Sequence, residues 1–511
     1  MYSFNWGNTD DFFLTRWYHQ AIVVHSLAAI RWLTLHDNSH LLASEAAVSW
    51  AIFYVFGINF KILVYSSAIL LYWGSILLTA LVWRDLSSWA GRSLALIVPL
   101  IMIFHPVQSQ ALLWAFEIGW FMVTFALVAN TFVIERYGQA GLPWVVVICA
   151  VASLSSAHGV FLWLAAMLQI RLFPEIRRRR LWFGVFLLGF CLGALAIATL
   201  TSPESGGIRQ GPMRLADVWQ IGVYVVGLIG SVFGSWPLGA VWAFGLVGLA
   251  LVATWCWLLR RSTLRSVERA GIVLIAASLM FVAAFALGRF RLGLPWALWD
   301  NHAGPMLAPF VCGLGLLAIE GIGGRSARPM SRLTGFVTLI VCLVSVVASA
   351  PQAVALGQES LVRRVLAMHE SCEPTAPPIL VERLNGLGGY PWMVEEDART
   401  TDETLPKMDE VLPLVRHLCT QEEPEAAREF ESEPSLFLTL AAEHPDHARA
   451  LSDLWSVYLT RYDLLRALPV SSPEMPKLLL AWAHDDAEQA DSSEPVLLGP
   501  HRTFFIRTDP K

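Results

Sequence analysis

The chain has 511 residues, of which 55% are hydrophobic, only 15% are charged, and 22 are tryptophan. This composition is typical of an integral membrane protein and excludes an ordinary soluble or nucleic-acid-binding one. The charge divides near residue 350: the first 350 residues carry 22 Lys and Arg against 13 Asp and Glu, and the rest carries 14 against 28. We therefore expect a basic membrane domain, 60–350, followed by an acidic soluble domain, 351–511.

Ten apolar stretches predict a mainly α, polytopic transmembrane helical bundle. They cover about 60–83, 91–105, 110–134, 142–157, 159–173, 181–201, 236–258, 270–288, 303–322 and 333–350. Arginines concentrate in alternate connections, as at 84–92, 171–180 and 260–269. Because positive residues favour the cytoplasmic side, we expect these connections inside and both the N-terminal segment and the acidic domain outside.

Two shorter segments near the N-terminus, 21–35 and 43–58, carry charged residues and are short for a span. We interpret them as helices on the membrane surface, with a pair of short spans as the alternative. The glycine-rich segment 219–234 lies between an outer loop and the next span that starts outside. It is predicted to be re-entrant or interfacial, a full span being the alternative.

The acidic domain is predicted to be mixed and rich in helix, with extended segments at 374–381 and 496–506. Cys372 and Cys419 lie alone in it and could pair in an oxidising compartment. No metal-ligand spacing occurs among the cysteines and histidines, so no cofactor is assigned, and a divalent cation stays an open alternative.

The N-terminal segment 1–59 contains the acidic motif around which we build a functional hypothesis. Asp10 and Asp11 are followed by Arg16 and by aromatic residues. A carboxylate can act as a general base, and the arginine fork suits a departing phosphate. The alternative is a polar turn or helix cap without catalytic function.

A second outer segment, Gly288–Gly293, contains two arginines on the side where arginines are otherwise scarce. Arg289 and Arg291 are therefore predicted phosphate ligands, and snorkelling to lipid headgroups is the alternative. Asp300 and His302 follow in the same loop and are candidate sugar ligands.

Glu117 is the most informative carboxylate inside the predicted spans. It lies between Trp114 and Trp120, near the outer end of its helix. An ionisable group at that depth faces a cavity or a partner. Glu117, Trp114, His105 and His158 are predicted to line one substrate cavity, although a buried structural hydrogen bond explains Glu117 equally well.

The order and sidedness of these motifs resemble a bacterial GT-C-type integral-membrane glycosyltransferase. The resemblance covers roughly residues 5–350. It rests on the Asn8-Thr-Asp10-Asp11-Phe motif, on Phe104–Gln108 with Leu113–Trp120, and on Gly288–Gly293. In that family a first span normally precedes the acidic pair; this chain lacks it, for which we consider two explanations, a divergent substrate and a fold retained without activity.

The resemblance implies a polyprenyl-phosphate-linked sugar donor and inverting transfer on the outer face of a bacterial inner membrane. It also implies an acidic catalytic base in the first outer loop, which is Asp10 or Asp11 here, with Asp10 preferred. The second interpretation is a non-catalytic GT-C-like scaffold or accessory subunit that docks a protein partner through its acidic domain. A transporter is disfavoured, because no two-half repeat is visible.

Overall fold

The computed structural model describes residues 9–25, 42–86, 89–200, 214–233, 238–260, 263–290, 304–324 and 329–372, residue 414, and the strands 495–498 and 502–505. The chain divides into two compact units, Met1–Leu361 and Val362–Lys511. In the second unit, the antiparallel strands β1 (Pro495–Leu498) and β2 (Arg502–Phe505) fall within the predicted extended segment 496–506, apart from the first residue of β1. The other predicted elements between 373 and 511 lie outside the described residues, as does Cys419.

The first unit is built from helices, as the sequence predicts. They are α1 (Thr9–Tyr18), α2 (Ala43–Phe56), α3 (Phe60–Asp85), α4 (Trp89–Ile103), α5 (Ser109–Leu113), α6 (Ile118–Tyr137), α7 (Leu142–Ser153), α8 (Phe161–Leu172), α9 (Arg179–Leu200), α10 (Leu215–Ser231), α11 (Leu238–Leu259), α12 (Ser266–Arg289), α13 (Gly304–Gly323) and α14 (Pro329–Cys372). Single turns of 3₁₀-helix at Pro106–Gln108, Ala115–Glu117, Gly138–Gly141 and Ala157–Val160, and a π-helical turn at His19–Val23, complete the unit.

Seven helical segments among the described residues are long and apolar enough to cross a membrane. They are Phe60–Asp85, Ala115–Ser153, Arg179–Thr199, Gly239–Leu259, Ser266–Gly288, Gly304–Gly323 and Pro329–Pro351. The predicted stretches at 91–105 and 159–173 correspond to the shorter helices α4 and α8. The polytopic, mainly helical architecture is therefore confirmed, and the count of ten spans remains a prediction.

Three predicted segments take a more definite form in the structure. The helix predicted at 43–58 corresponds to α2, whose Tyr54, Val55 and Phe56 are exposed at its end, and its position on the membrane surface stays a prediction. The segment 219–234 falls largely in one continuous helix, α10, whose Gly230 packs against the carbonyl of Val241 in α11. Helix α14 runs without a break through the predicted domain boundary at residue 350.

Helix α13 forms the centre of the first unit and packs most extensively against α12 and α4. Its residues Gly304–Gly321 are buried throughout. By contrast, few residues of α9 are buried, and one of its sides, which includes Leu187, Leu188 and Leu192, is exposed. A helix that is apolar all round and exposed on one side is the form expected where one face contacts lipid.

Two proline-containing helices have their missing backbone hydrogen bond replaced from a neighbouring helix. Pro309 has no N–H to donate to the carbonyl of Pro305, and the hydroxyl of Thr124 in α6 donates to that carbonyl at 2.8 Å. In α4, the hydroxyl of Thr79 donates at 3.1 Å to the carbonyl of Ala95, which Pro99 cannot reach with an N–H. In an apolar surrounding such a replacement keeps both carbonyls satisfied.

One end of the bundle, which we call the arginine end, consists of residues 135–141, 171–180, 265–269 and Glu320. Arg269 forms an ion pair with Glu135, and Arg265 forms one with Glu320. The hydroxyl of Ser266 bonds the carboxylate of Asp85 at the end of α3. These contacts bring the ends of α3, α6 and α13 to the start of α12, so Arg265 and Arg269 lie at the same end of the bundle as Asp85. The membrane side of the arginines stays a prediction.

Candidate functional site

The predicted site residues that the structure describes lie at the opposite end of the bundle, which we call the motif end. It consists of α1, the start of α2, residues 105–117 and 154–160, and the first turn of α13. Helix α1 packs against α2 and against the turn Ala115–Glu117, and the 3₁₀ turn at 106–108 packs against the start of α13. The backbone N–H of Ser44 donates to the carbonyl of Leu154 at 2.9 Å, which attaches α2 to the end of α7.

Helix α1 carries the acidic motif. Asp10 and Asp11 fall in its first turn, so the motif is helical and not an extended segment. The helix is anchored by the buried residues Leu14, Thr15 and Trp17, and the ring of Tyr18 meets Phe53 of α2 edge-on at 5.6 Å. Arg16 lies partly buried one turn further along the helix. The side chains of the two aspartates lie outside the described part of the structure.

Glu117 is buried, with 2% of its surface exposed, and so is its neighbour Trp114. Glu117 closes the 3₁₀ turn that contacts α1 and immediately precedes α6. Glu117 is therefore enclosed within the bundle, and the prediction that it lines a substrate cavity stays a prediction. The contact with α1 brings Glu117 into the same neighbourhood as the helix that carries the acidic motif.

A second carboxylate, Glu45, is also buried, and the sequence did not single it out. Its side chain is 1% exposed, and its carboxylate lies against Gly119 at the start of α6, beside the carbonyl oxygen of Ser155. The available signal was the one used for Glu117, a carboxylate inside an apolar helix. The segment 43–58 was predicted to lie on the membrane surface, and that prediction gave no reason to expect Glu45 to be buried.

His158 and two aromatic residues form a three-ring contact at the motif end. The His158 ring lies over Trp120 with centroids 4.4 Å apart, and Phe285 meets both rings at just over 6 Å. The Nδ1 atom of His158 lies 3.2 Å from the hydroxyl of Ser156. This contact joins the start of α6 to the last turns of α12, which ends at Arg289.

His105 is completely buried and both of its ring nitrogens have partners. Nδ1 accepts the N–H of Val107 at 3.1 Å, so Nε2 carries the proton and donates to the hydroxyl of Ser345 in α14 at 2.9 Å. Burial lowers the pKa of His105 from 6.5 to about 3, which keeps the ring neutral. In this arrangement His105 fastens α14 to the motif end, and its place in a substrate cavity stays a prediction.

Of the remaining residues predicted to bind the donor, the structure describes only the backbone of Arg289. Arg289 is the last residue of α12, so its backbone lies at the motif end, but its side chain is outside the described part. Arg291, Asp300 and His302 lie outside the described residues. Among the described residues, no group of three or more His, Cys, Asp or Glu is arranged to hold a metal ion.

The motif end therefore gathers two buried carboxylates, a neutral histidine and an aromatic cluster next to the acidic helix. In comparisons with known proteins, no family model, no curated protein and no solved structure matches this chain. The seven apolar helices with their internal polar contacts indicate the class of polytopic helical membrane proteins.

Proposed function

We propose that the chain is a membrane glycosyltransferase of GT-C type. It would transfer a sugar from a polyprenyl-phosphate-linked donor to an acceptor hydroxyl on the outer face of the membrane. Asp10 or Asp11 serves as the general base, and Asp10 is our first choice. Arg16, Arg289 and Arg291 hold the phosphate of the donor.

The observation that carries this proposal is the contact between α1 and the turn Ala115–Glu117. Taken alone, the acidic motif is too short to distinguish a site from a helix cap. Its packing against a buried carboxylate, at the end where α12 also finishes, supports the first interpretation. The aromatic rings of Trp114 and Trp120 beside that carboxylate suit the apolar face of a sugar.

The reaction requires one proton transfer and one displacement. The aspartate takes the proton of the acceptor hydroxyl while the hydroxyl oxygen attacks the anomeric carbon from the side opposite the phosphate. The bond between that carbon and the phosphate oxygen breaks, and its electron pair leaves with the polyprenyl phosphate. The arginines neutralise the charge that develops on the leaving group. Configuration at the anomeric carbon is inverted, and no step is assigned to a cation.

The test compares Asp10→Asn and Asp11→Asn with Glu175→Gln, an exposed carboxylate at the arginine end. The protein is incubated in membranes with labelled undecaprenyl-phosphate sugars, and release of undecaprenyl phosphate is measured. At least one aspartate variant should lose activity by roughly 100- to 10,000-fold, the usual contribution of a general base, while the control keeps it. Full activity in both aspartate variants, with an active parent, would overturn the mechanism.

The second candidate is a non-catalytic GT-C-like scaffold or accessory subunit. It is favoured by the dense packing of the motif end, where Glu117, His158 and Trp114 are each at least nine-tenths buried. This candidate would be supported if the chain copurified with a stoichiometric protein partner and turned over none of the labelled undecaprenyl-phosphate sugars. A lipid phosphate bound beside Arg289 in an experimental density map would instead support the glycosyltransferase function.

A further inference from the structure

The arginine end has a basic, exposed surface, separate from the buried ion pairs beneath it. It comprises Arg136 at the end of α6, Arg171 at the end of α8, and Arg177, Arg178 and Arg180 at the start of α9. All five side chains are exposed. Residues 136–145 and 171–182 contain one carboxylate, Glu175, against six arginines, so the surface is strongly positive.

Contacts within the connection between α8 and α9 hold the backbone of this connection in place. The backbone N–H of Arg177 donates to Oε1 of Gln139 at 3.2 Å, which fixes the connection against the turn that follows α6. The guanidinium of Arg179 donates to the carbonyl of Phe173 at 3.0 Å. Phe173 and Ile176 are buried beneath the connection. The backbone that carries Arg177 and Arg178 is therefore held in place by the protein itself.

Exposed apolar residues border the basic surface. Trp144, near the start of α7, is 68% exposed, and Leu181, near the start of α9, is 56% exposed. Helices α7 and α9 pack side by side, so these two residues lie on adjacent helices just beyond the arginines. A soluble anion or an acidic protein would leave this apolar border unused, whereas a lipid would contact both parts.

We infer that this surface binds an acidic phospholipid, with its headgroup phosphate on Arg177 and Arg178 and its acyl chains along Trp144 and Leu181. Arginine suits this role because its planar fork donates two parallel hydrogen bonds to a phosphate. The inference does not depend on the proposed transferase activity, and it goes beyond a general attraction between basic residues and a charged leaflet because it assigns a fixed set of residues.

The test measures binding of phosphatidylglycerol and phosphatidylcholine to the purified full chain by native mass spectrometry. Arg177→Gln/Arg178→Gln is compared with Arg260→Gln/Arg332→Gln, which removes two exposed arginines that precede α12 and begin α14. Phosphatidylglycerol should bind roughly 10- to 30-fold more weakly to the first double variant, from the usual contribution of a basic residue near an anionic membrane, and within twofold of the parent to the second.

Several results would overturn the inference. One is an equal loss in both double variants, which indicates diffuse attraction; another is equal binding of the two lipids to the parent. Displacement of phosphatidylglycerol by an equal concentration of glycerol phosphate would indicate a free-phosphate site instead. Arg177→Lys/Arg178→Lys keeps the charge and should retain at least a third of the parent affinity. This variant and the lipid comparison on the parent decide the question even if the glutamine variant does not fold.

Discussion

Arg269 and Glu135 form a bidentate ion pair in the interior of the arginine end. Nη2 of Arg269 lies 2.6 Å from Oε2 of Glu135, and its Nε lies 3.1 Å from Oε1. The Arg269 and Glu135 side chains are 12% and 0% exposed. The guanidinium also lies over the ring of Phe173 at 4.8 Å, and Gln169 donates to Glu135 at 3.2 Å. The pair thereby links α6, α8 and α12.

Removing one member of this pair should be strongly destabilising, because it leaves the other charge buried without its counter-ion. We expect Glu135→Leu and Arg269→Leu each to cost about 3–5 kcal/mol of unfolding free energy. The double variant Glu135→Leu/Arg269→Leu should recover most of that loss. Unfolding by sodium dodecyl sulfate, followed by tryptophan fluorescence, measures all three. Strictly additive effects would show that the two side chains do not act as a pair.

The hydroxyl of Thr124 should matter only because Pro309 interrupts α13. Thr124→Val removes the donor to the carbonyl of Pro305 and should cost about 1 kcal/mol, whereas Thr124→Ser should cost less. In a Pro309→Ala background the N–H of residue 309 can reach that carbonyl, so Thr124→Val should become nearly neutral. The same detergent titration gives this double-mutant cycle, and an unchanged cost in the alanine background would contradict the assignment.

Gly119 should tolerate no side chain. A Cβ at this position would overlap the Glu45 carboxylate and lie 2.6 Å from the carbonyl oxygen of Ser155. We expect Gly119→Ala to destabilise the protein by about 1–3 kcal/mol, as overpacking of a filled interior does. Gly184→Ala is the matched control, because nothing lies within 4 Å of its Cβ position in α9. It should be neutral or slightly stabilising, since alanine favours a helix. Equal melting temperatures of the two variants would contradict the close contact.

His105 should make stability fall in acid. Its pKa is 6.5 when unfolded and about 3 when folded, so between these values only the unfolded chain binds the proton. The stabilisation that this group contributes is therefore fully present above pH 6.5. As the pH is lowered from 6.5 toward 3, that stabilisation is lost by up to about 1.4 kcal/mol per pH unit. His105→Gln removes this contribution. Thermal unfolding of both proteins from pH 7 to 4 should give a shallower slope for the variant, because the carboxylates titrate equally in both; parallel slopes would refute the assignment.

The sequence predicted the helices well where a long apolar run determines the structure. The stretches at 60–83 and 303–322 correspond to α3 and α13 within three residues at each end. The clustering of Arg84, Arg177 and Arg265 at one end also followed from their alternation along the chain. Both signals are patterns along the sequence, so they can be recognised without knowing how the helices pack.

Side-chain partners could not be predicted in the same way. Glu45 was assigned to a surface because α2 is short, yet its burial depends on α6 and on the end of α7, far along the chain. His105 was expected to line a cavity, but its partner Ser345 lies 240 residues away. Such pairings depend on how the helices pack against one another, and the hydrophobic periodicity of a sequence does not contain that information.

The pairing of Thr124 with Pro309 has a consequence for the evolution of this chain. A proline in α13 costs less stability while a hydroxyl on α6 supplies the missing donor, so we expect the threonine to be gained before the proline and lost after it. The same order is expected for Thr79 and Pro99 between α3 and α4. Related sequences that keep either proline should therefore keep its threonine.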